Sequence, residues 1–343
     1  MRAWRVVFVS LMIVHMPPHC ERQAMTNNRP NRLYKYRAFN NLTLDMLVSD
    51  NLFFADPSTF NDPLDTKPSV ESDLDPQALE ALVRRMVEQR VHAEMTANAQ
   101  AIKYRGAKTI AHIDRLACTH ADQLIAEVQY NSTNPDYENE EYALKSLFGD
   151  EIERELLRRY GKGIVSLAER ANCPLMWSHY ADQHKGLCVG YSIPDDGISG
   201  LHEVEYGGSR LIEASAIAAM LEGDTAAQRR VDAAFLTRKA PDWHYEREWR
   251  LIGDRGARSS PLELEEIIFG LRCARPVRFA VVSALQNRRR PVQFHEIYTH
   301  SNDFHLEAYP LDTAELLAHF PVRAREIFEH FQPIELPPHL VDA

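Results

Sequence analysis

Residues 163–192 read GIVSLAERANCPLMWSHYADQHKGLCVGYS. GIVSLAE and GLCVGYS carry strand signals, short apolar runs closed by small or polar residues. Between them, LMWSHYADQHKG holds a tryptophan, a tyrosine, two histidines, an aspartate and a lysine. A sheet therefore runs through this region, interrupted by a box too polar for ordinary core.

Moving outward, the NRLYKYRAF segment alternates Tyr34 and Tyr36 with Lys35 and Arg37, the period of a strand with one aromatic and one basic face. LTLDMLVSDN has helical spacing and a C-cap expected at Asn51. LFFA is a second short strand, closed by the turn-rich DPSTFNDPLD. From 71 to 160, apolar positions recur among many charges, as in ALEALVRRMVEQRV and GDEIERELLRRY, which predicts three or four amphipathic helices. Beyond the box, HEVEY, EWRLI, EIIFG, PVQFHEIYT and DFHLEAYP are strand candidates, and helices are expected over 214–220 and 226–239. The chain finishes on amphipathic helix around LLAHF and REIFEHF.

Mixed elements that do not alternate regularly predict an α+β fold with a mixed, mainly antiparallel sheet core and a helical insertion subdomain. The expected division is 25–70 and 161–310 for the core, 71–160 for the insertion and 311–343 for C-terminal helices.

The chain has 343 residues, 45% of them hydrophobic, a net charge of −10 and a pI near 5.8. That balance supports a sizeable core and argues against a broad nucleic-acid-binding surface. Five scattered cysteines without a CxxC pair point to a reduced, cytoplasmic protein. Residues 1–24 combine a basic start with a short apolar run. They read as a false start upstream of Met25, as a signal-like segment without a clean cleavage site, or as a genuine N-terminal tail. No stretch is apolar over a length that would span a bilayer.

Three boxes carry candidate chemistry. In the first, His179 and His184 are five apart and do not share a helical face, so no metal ligand set is assigned. The residues leave two readings open. Met176, Trp177 and Tyr180 dock a short helix on the core, or Trp177, His179, Tyr180, His184 and Lys185 form a wall around a planar, polar ligand. In the second, FNDPLD, Asn61 and Asp62 form an Asx-type turn or place an amide and a carboxylate at a cleft edge. In the third, DWHYEREWRLI, Glu246 and Glu248 are expected on one strand face with Arg250, and Trp249 and Leu251 on the other. The guanidinium of Arg250 would orient a carboxylate there. Glu248 and Glu246 are the catalytic candidates. Lys35 and Arg37 are candidates for phosphate or for pairing with these acids. There is no GxSxG, GxxxxGK[ST] or GxGxxG after a strand.

The boxes LYKYRAF, FNDPLD, LMWSHYADQHKGLCVGYS and YEREWRLI, taken in order, closely resemble the bacterial family called domain of unknown function 2971, whose members look like LYKYR, FNDPFD, MWSHYA-x-x-HKG and YE-x-EWR. Leu64 stands where the family usually has phenylalanine. At the level of fold, the order of these boxes also resembles ADP-ribosyltransferases, and that likeness alone implies roles for single residues. Lys35 or Arg37 would take the first NAD-contacting place, Ser166 the second and Glu248 the third. Tyr36, Trp177 or Tyr180 would stack on nicotinamide or adenine. The first position lacks the usual lone histidine or arginine, and Ser166 lacks its customary partner. The activity implied is that of a nucleotide- or NAD-using transferase with NAD as substrate and a nucleic-acid or protein acceptor, a chemistry suited to defence or toxin systems. The alternatives are a metal-dependent hydrolase or nuclease using Asp62, Asp65, His179 and Glu246, and a non-catalytic ligand-binding module.

Overall fold

The computed structural model describes residues 30–104 and 106–322. The expectations for residues 1–24 and for a helix around REIFEHF fall outside the described residues. From the start to residue 162 the elements are β1 (Arg32–Arg37), α1 (Asn41–Ser49), β2 (Asn51–Phe54), β3 (Ser69–Glu71), α2 (Pro76–Ala101), α3 (Ala107–Ser132) and α4 (Glu140–Arg159). Then come β4 (Gly163–Ala168), α5 (Pro174–Tyr180), β5 (Leu187–Ser192), β6 (Leu201–Glu203), β7 (Glu205–Tyr206), β8 (Leu211–Glu213), α6 (Ala214–Leu221), α7 (Thr225–Leu236) and β9 (Arg238–Lys239). The last elements are β10 (Glu248–Gly253), β11 (Gly256–Ser259), β12 (Glu263–Phe269), α8 (Arg275–Leu285), β13 (Gln293–Thr299), β14 (Leu306–Pro310) and α9 (Thr313–His319). The fold is α+β.

The chain forms two compact units that interleave in sequence. One is mainly helical and comprises residues 56–162 and 205–241. It is wider than the expected 71–160 because α6 and α7 bury Ile217, Met220, Val231 and Phe235 in one cluster with Leu79, Val83, Phe148 and Ile152. An amphipathic helix stays with whichever core takes its apolar stripe, and local periodicity does not name that core. Asp75 opens α2 by accepting from the Ala78 amide at 2.8 Å, with Pro76 in the first turn. The ring of Tyr160 stacks on Phe235 with centroids 4.5 Å apart.

The other unit comprises residues 30–55 and 163–204 and resumes at Asp242. Its sheet has eight strands in the order β14-β13-β12-β5-β1-β4-β10-β6. Every neighbouring pair is antiparallel except β12 and β13, which α8 connects in a parallel crossover. One face buries Leu33, Val165, Leu167, Val189, Leu251, Ile267 and Phe269 in a continuous core with Val281, Val282 and Leu285 of α8. The opposite face takes α5, through Met176 and Trp177 packed with Tyr36, Ala168, Cys188 and Ile268.

Two local expectations shift. Helix α1 ends on Asp50, whose backbone is left-handed at φ 54°, and Asn51 already begins β2. Asp shares with Asn the short polar side chain that tolerates this conformation. The HEVEY stretch is two strands, β6 pairing with β10 and β7 pairing with β9 in the helical unit.

Candidate functional site

The YEREWR box folds as a break followed by a strand. Residues 241–246 form a 3₁₀ turn that ends on Glu246. Arg247 then adopts φ 43°, and β10 starts at Glu248. The two glutamates therefore do not share one strand face, as a continuous period of two would have set them. The left-handed residue between them resets the direction of the chain. From Glu248 onward the alternation holds. Trp249 and Leu251 enter the apolar core, while Glu248 and Arg250 point to the other face and meet there. The Arg250 Nε donates to Glu248 Oε1 at 3.0 Å and its Nη2 to Oε2 at 3.3 Å. Arg250 is wholly buried and Glu248 is 2% exposed, so this fork sits in low dielectric, where a charge-assisted pair is held rigidly. Glu246 is also buried, and the Tyr180 hydroxyl donates to its Oε1 at 2.7 Å. Burial first, and then the Glu246 carboxylate, push the Tyr180 phenol well above its ordinary range.

The sheet register adds neighbours to Glu248. Ser166 of β4 lies opposite Arg250, and His202 of β6 lies on its other side. In the next row Glu248 faces Ala168, Ala168 faces Tyr34, Tyr34 faces Gly190, and Gly190 faces Glu266. Residues directly opposite one another share a face, so Glu248, Tyr34 and Glu266 stand on the same side of the sheet. Ser166 is half-buried, and its carbonyl accepts from Lys35 Nζ at 2.7 Å.

Lys35 and Arg37 fall on the opposite side. The alternation of β1 groups them with Leu33 and places them across from Val189 and Leu187 of the apolar core. Burial lowers the Arg37 pKa, offset in part by Tyr191. Tyr36, on the Glu248 side, is buried and donates to the Arg170 carbonyl at 2.8 Å.

The LMWSHYADQHKG box turns out to be a tightly determined loop. After α5, three consecutive residues, Asp182, Gln183 and His184, have φ of 47°, 54° and 70°. Non-glycine residues held there store backbone strain. Two glycines make the loop possible by close backbone approach. A Cβ on Gly186 would lie 2.1 Å from the Arg37 carbonyl oxygen, and one on Gly270 would lie 2.2 Å from that of His184. The loop brings the His184 ring over Trp177, with centroids 6.0 Å apart and planes 14° apart. Tyr36 meets the same indole edge-on at 5.2 Å, and the indole Nε1 donates to the Ala171 carbonyl at 2.7 Å. Trp177 is wholly buried and its ring is committed to the core. Burial, with Arg272 nearby, lowers the His184 pKa. His179 and Lys185 are exposed, and Lys185 Nζ lies 4.0 Å from Asp182.

Asn61 and Asp62 belong to the helical unit. Asp62 accepts from the Leu64 amide at 2.8 Å, the Asx turn expected of FNDP, and Asn61 is exposed. Asp65 is buried beside Lys239, 3.6 Å away. Among the described residues, no group of three His, Cys, Asp or Glu side chains stands close enough to hold a metal ion. No helix among them is long and apolar enough to cross a membrane.

Sequence reasoning passed over Glu266, Arg32 and His295, and used Tyr34 only to mark a strand. Gly190 was the available signal. A glycine inside a strand marks a bulge or a close approach, and here the Glu266 side chain lies over it, its Cγ 2.6 Å from where a Cβ would be.

The fold and this polar sheet face define an α+β protein with a buried carboxylate–guanidinium fork on a mixed, mainly antiparallel sheet. Residues 176–251, from α5 through the EWRL strand, match the family described as Protein of unknown function (DUF2971). Neither the curated proteins nor the solved structures contain a match.

Proposed function

We propose that the protein is a nucleotide-using transferase that cleaves the nicotinamide–ribose bond of NAD and passes the ADP-ribosyl group to an acceptor. The observation that carries this reading is the Glu248–Arg250 fork, in which a fully buried guanidinium fixes a 2%-exposed carboxylate on one face of the sheet. Two buried charges are a costly way to hold a sheet together, since apolar residues of similar volume do so equally well or better. Their value lies in orientation. Cleavage of a glycosidic bond passes through an oxocarbenium-like state, and a fixed carboxylate stabilises that developing positive charge without reorganising.

In this reading Glu248 is the catalytic carboxylate, Arg250 holds it in place, and Ser166, opposite Arg250, lines the same face. Tyr180, half-buried and fixed through its hydroxyl to Glu246, offers the aromatic surface for a planar base. Trp177 shapes that region from within the core. Lys35 and Arg37, on the other face of the sheet, take no part.

The test is nicotinamide release from NAD, measured with and without nucleic acid and protein acceptors, for the full chain and for Glu248→Gln. The wild type should release nicotinamide, and the variant should lose about 100-fold or more of the rate while keeping its circular-dichroism spectrum. Absence of release by folded wild type, or full activity in Glu248→Gln, ends the reading.

A further inference from the structure

At the far end of the transverse row from Glu248 lies a second buried carboxylate that this chemistry does not use. Glu266 is 5% exposed. Strand β12 aims it there by a bulge: Leu264 pairs with Tyr191, but Glu266, not Glu265, pairs with Gly190. The extra residue turns Glu266 out of the apolar core and onto the polar face, and Gly190 clears the room in which its side chain lies.

Three groups converge on it. Arg32 Nη1 donates to Oε1 at 2.6 Å. His295 Nδ1 lies 3.3 Å from Oε2, buried and without a well-formed hydrogen bond. Tyr34 stands beside both Glu266 and Arg32; burial and then Glu266 push its phenol up to about 12, while Arg32 pulls the other way. The Arg32 side chain is 35% exposed and that of His295 is 19% exposed. Among the described residues, Arg32 uses only one amino group in this pair, and His295 Nε2 has no protein hydrogen-bond partner. A salt bridge that served only stability would need neither a bulge nor a glycine beneath it.

We propose that Arg32, Tyr34 and His295 form a binding site for a phosphate group, with Glu266 beneath them as the positioning residue. The remaining donors of the guanidinium and the imidazole match the several oxygens of a phosphate, and the Tyr34 phenol, hydrogen-bonded to Glu266, stands beside them. Glu266 holds Arg32 through one amino group, which leaves other guanidinium donors for a ligand, and its second oxygen lies 3.3 Å from His295 Nδ1. The site stands on its own residues and needs no NAD chemistry at Glu248.

Binding is measured by calorimetry on the full chain, with inorganic phosphate and AMP as probes. The variants are Arg32→Gln, His295→Gln and, as a surface-charge control, Arg290→Gln. The wild type should bind at least one probe, and the first two variants should weaken it by about tenfold or more, the loss of one charge-assisted hydrogen bond. The control should stay within about twofold. Tighter binding of AMP than of phosphate identifies a nucleotide as the source, and equal binding identifies a free phosphate or simple ester. Should Arg32→Gln fail to fold, Arg32→Lys keeps the charge, loses the planar fork, and should still weaken binding. The proposal is overturned if folded wild type binds neither probe at millimolar concentration, or if the Arg32 and His295 variants bind as tightly as wild type. Nicotinamide release is a separate readout, so either proposal can fail while the other stands.

Discussion

The two faces of the eight-stranded sheet are built from the same strands and carry opposite chemistry. Leu33, Val165, Leu167, Val189, Leu251 and Ile267 close one face into an apolar core. The alternate positions of the same strands present Arg32, Tyr34, Ser166, Glu248, Arg250 and Glu266 to the other. Some of that second face is ordinary packing, where α5 covers Tyr36, Cys188 and Ile268. The rest concentrates buried charge, with Glu248 and Arg250 near one edge of the sheet and Glu266 four strands away, roughly 19 Å at ordinary strand spacing. A face that only had to cover the sheet would be apolar throughout, because buried ions cost desolvation that apolar side chains avoid. The charged face is therefore where function is to be sought, and the apolar face is where stability comes from.

The sharpest way to break this contrast is Arg250→Leu. It replaces a buried cation with a good core side chain but takes the guanidinium away from the buried Glu248 carboxylate, and should lower the unfolding free energy by about 3–5 kcal/mol in urea titration. A stable, well-folded Arg250→Leu protein would mean that the polar face is interchangeable with the apolar one. On the other face, Leu251→Ala should cost about 2–4 kcal/mol through the cavity it leaves. It should leave nicotinamide release per folded molecule unchanged, in contrast to Glu248→Gln. A smaller effect is expected at Gly190. An added methyl would meet Glu266 Cγ at 2.6 Å, and displacing that side chain should cost about 1–2 kcal/mol in the same titration. A neutral Gly190→Ala would show that Glu266 is not held over the strand.

The smallest effect separates the two ends of the charged face by titration. The Tyr34 phenol is raised from 10.0 to about 12. A raised acid favours its protonated form in the folded state, so the stability it contributes is present below pH 10 and lost as the pH climbs through about 12. Tyrosinate absorbance followed from neutral to strongly alkaline pH should lose the amplitude of one tyrosine from its late, raised portion in Tyr34→Phe. Loss of a step near pH 10 instead would place Tyr34 in open solvent, away from Glu266.

Much of this was legible in the chain. Alternation in LYKYR and EWRLI, and the short apolar runs GIVSLA and LCVGYS, located four adjacent strands of the sheet, because a strand writes its burial into the residues of each face. The Glu248–Arg250 fork came from the same rule. The Asx turn at Asp62 was written in the local chemistry of Asn, Asp and Pro. Tertiary structure decided the rest. The left-handed Arg247 moved Glu246 off the strand, and the bulge in β12 chose Glu266 over Glu265. Both are single-residue departures whose cost only surrounding contacts can offset, and periodicity cannot announce them. The closing of Trp177 between Tyr36 and His184, and the assignment of Lys35 and Arg37 to the far side of the sheet, depend on which surfaces meet. A sequence shows that a strand has two faces. Which face meets a core and which carries the chemistry is set by the elements packed against each, and those are drawn from distant parts of the chain.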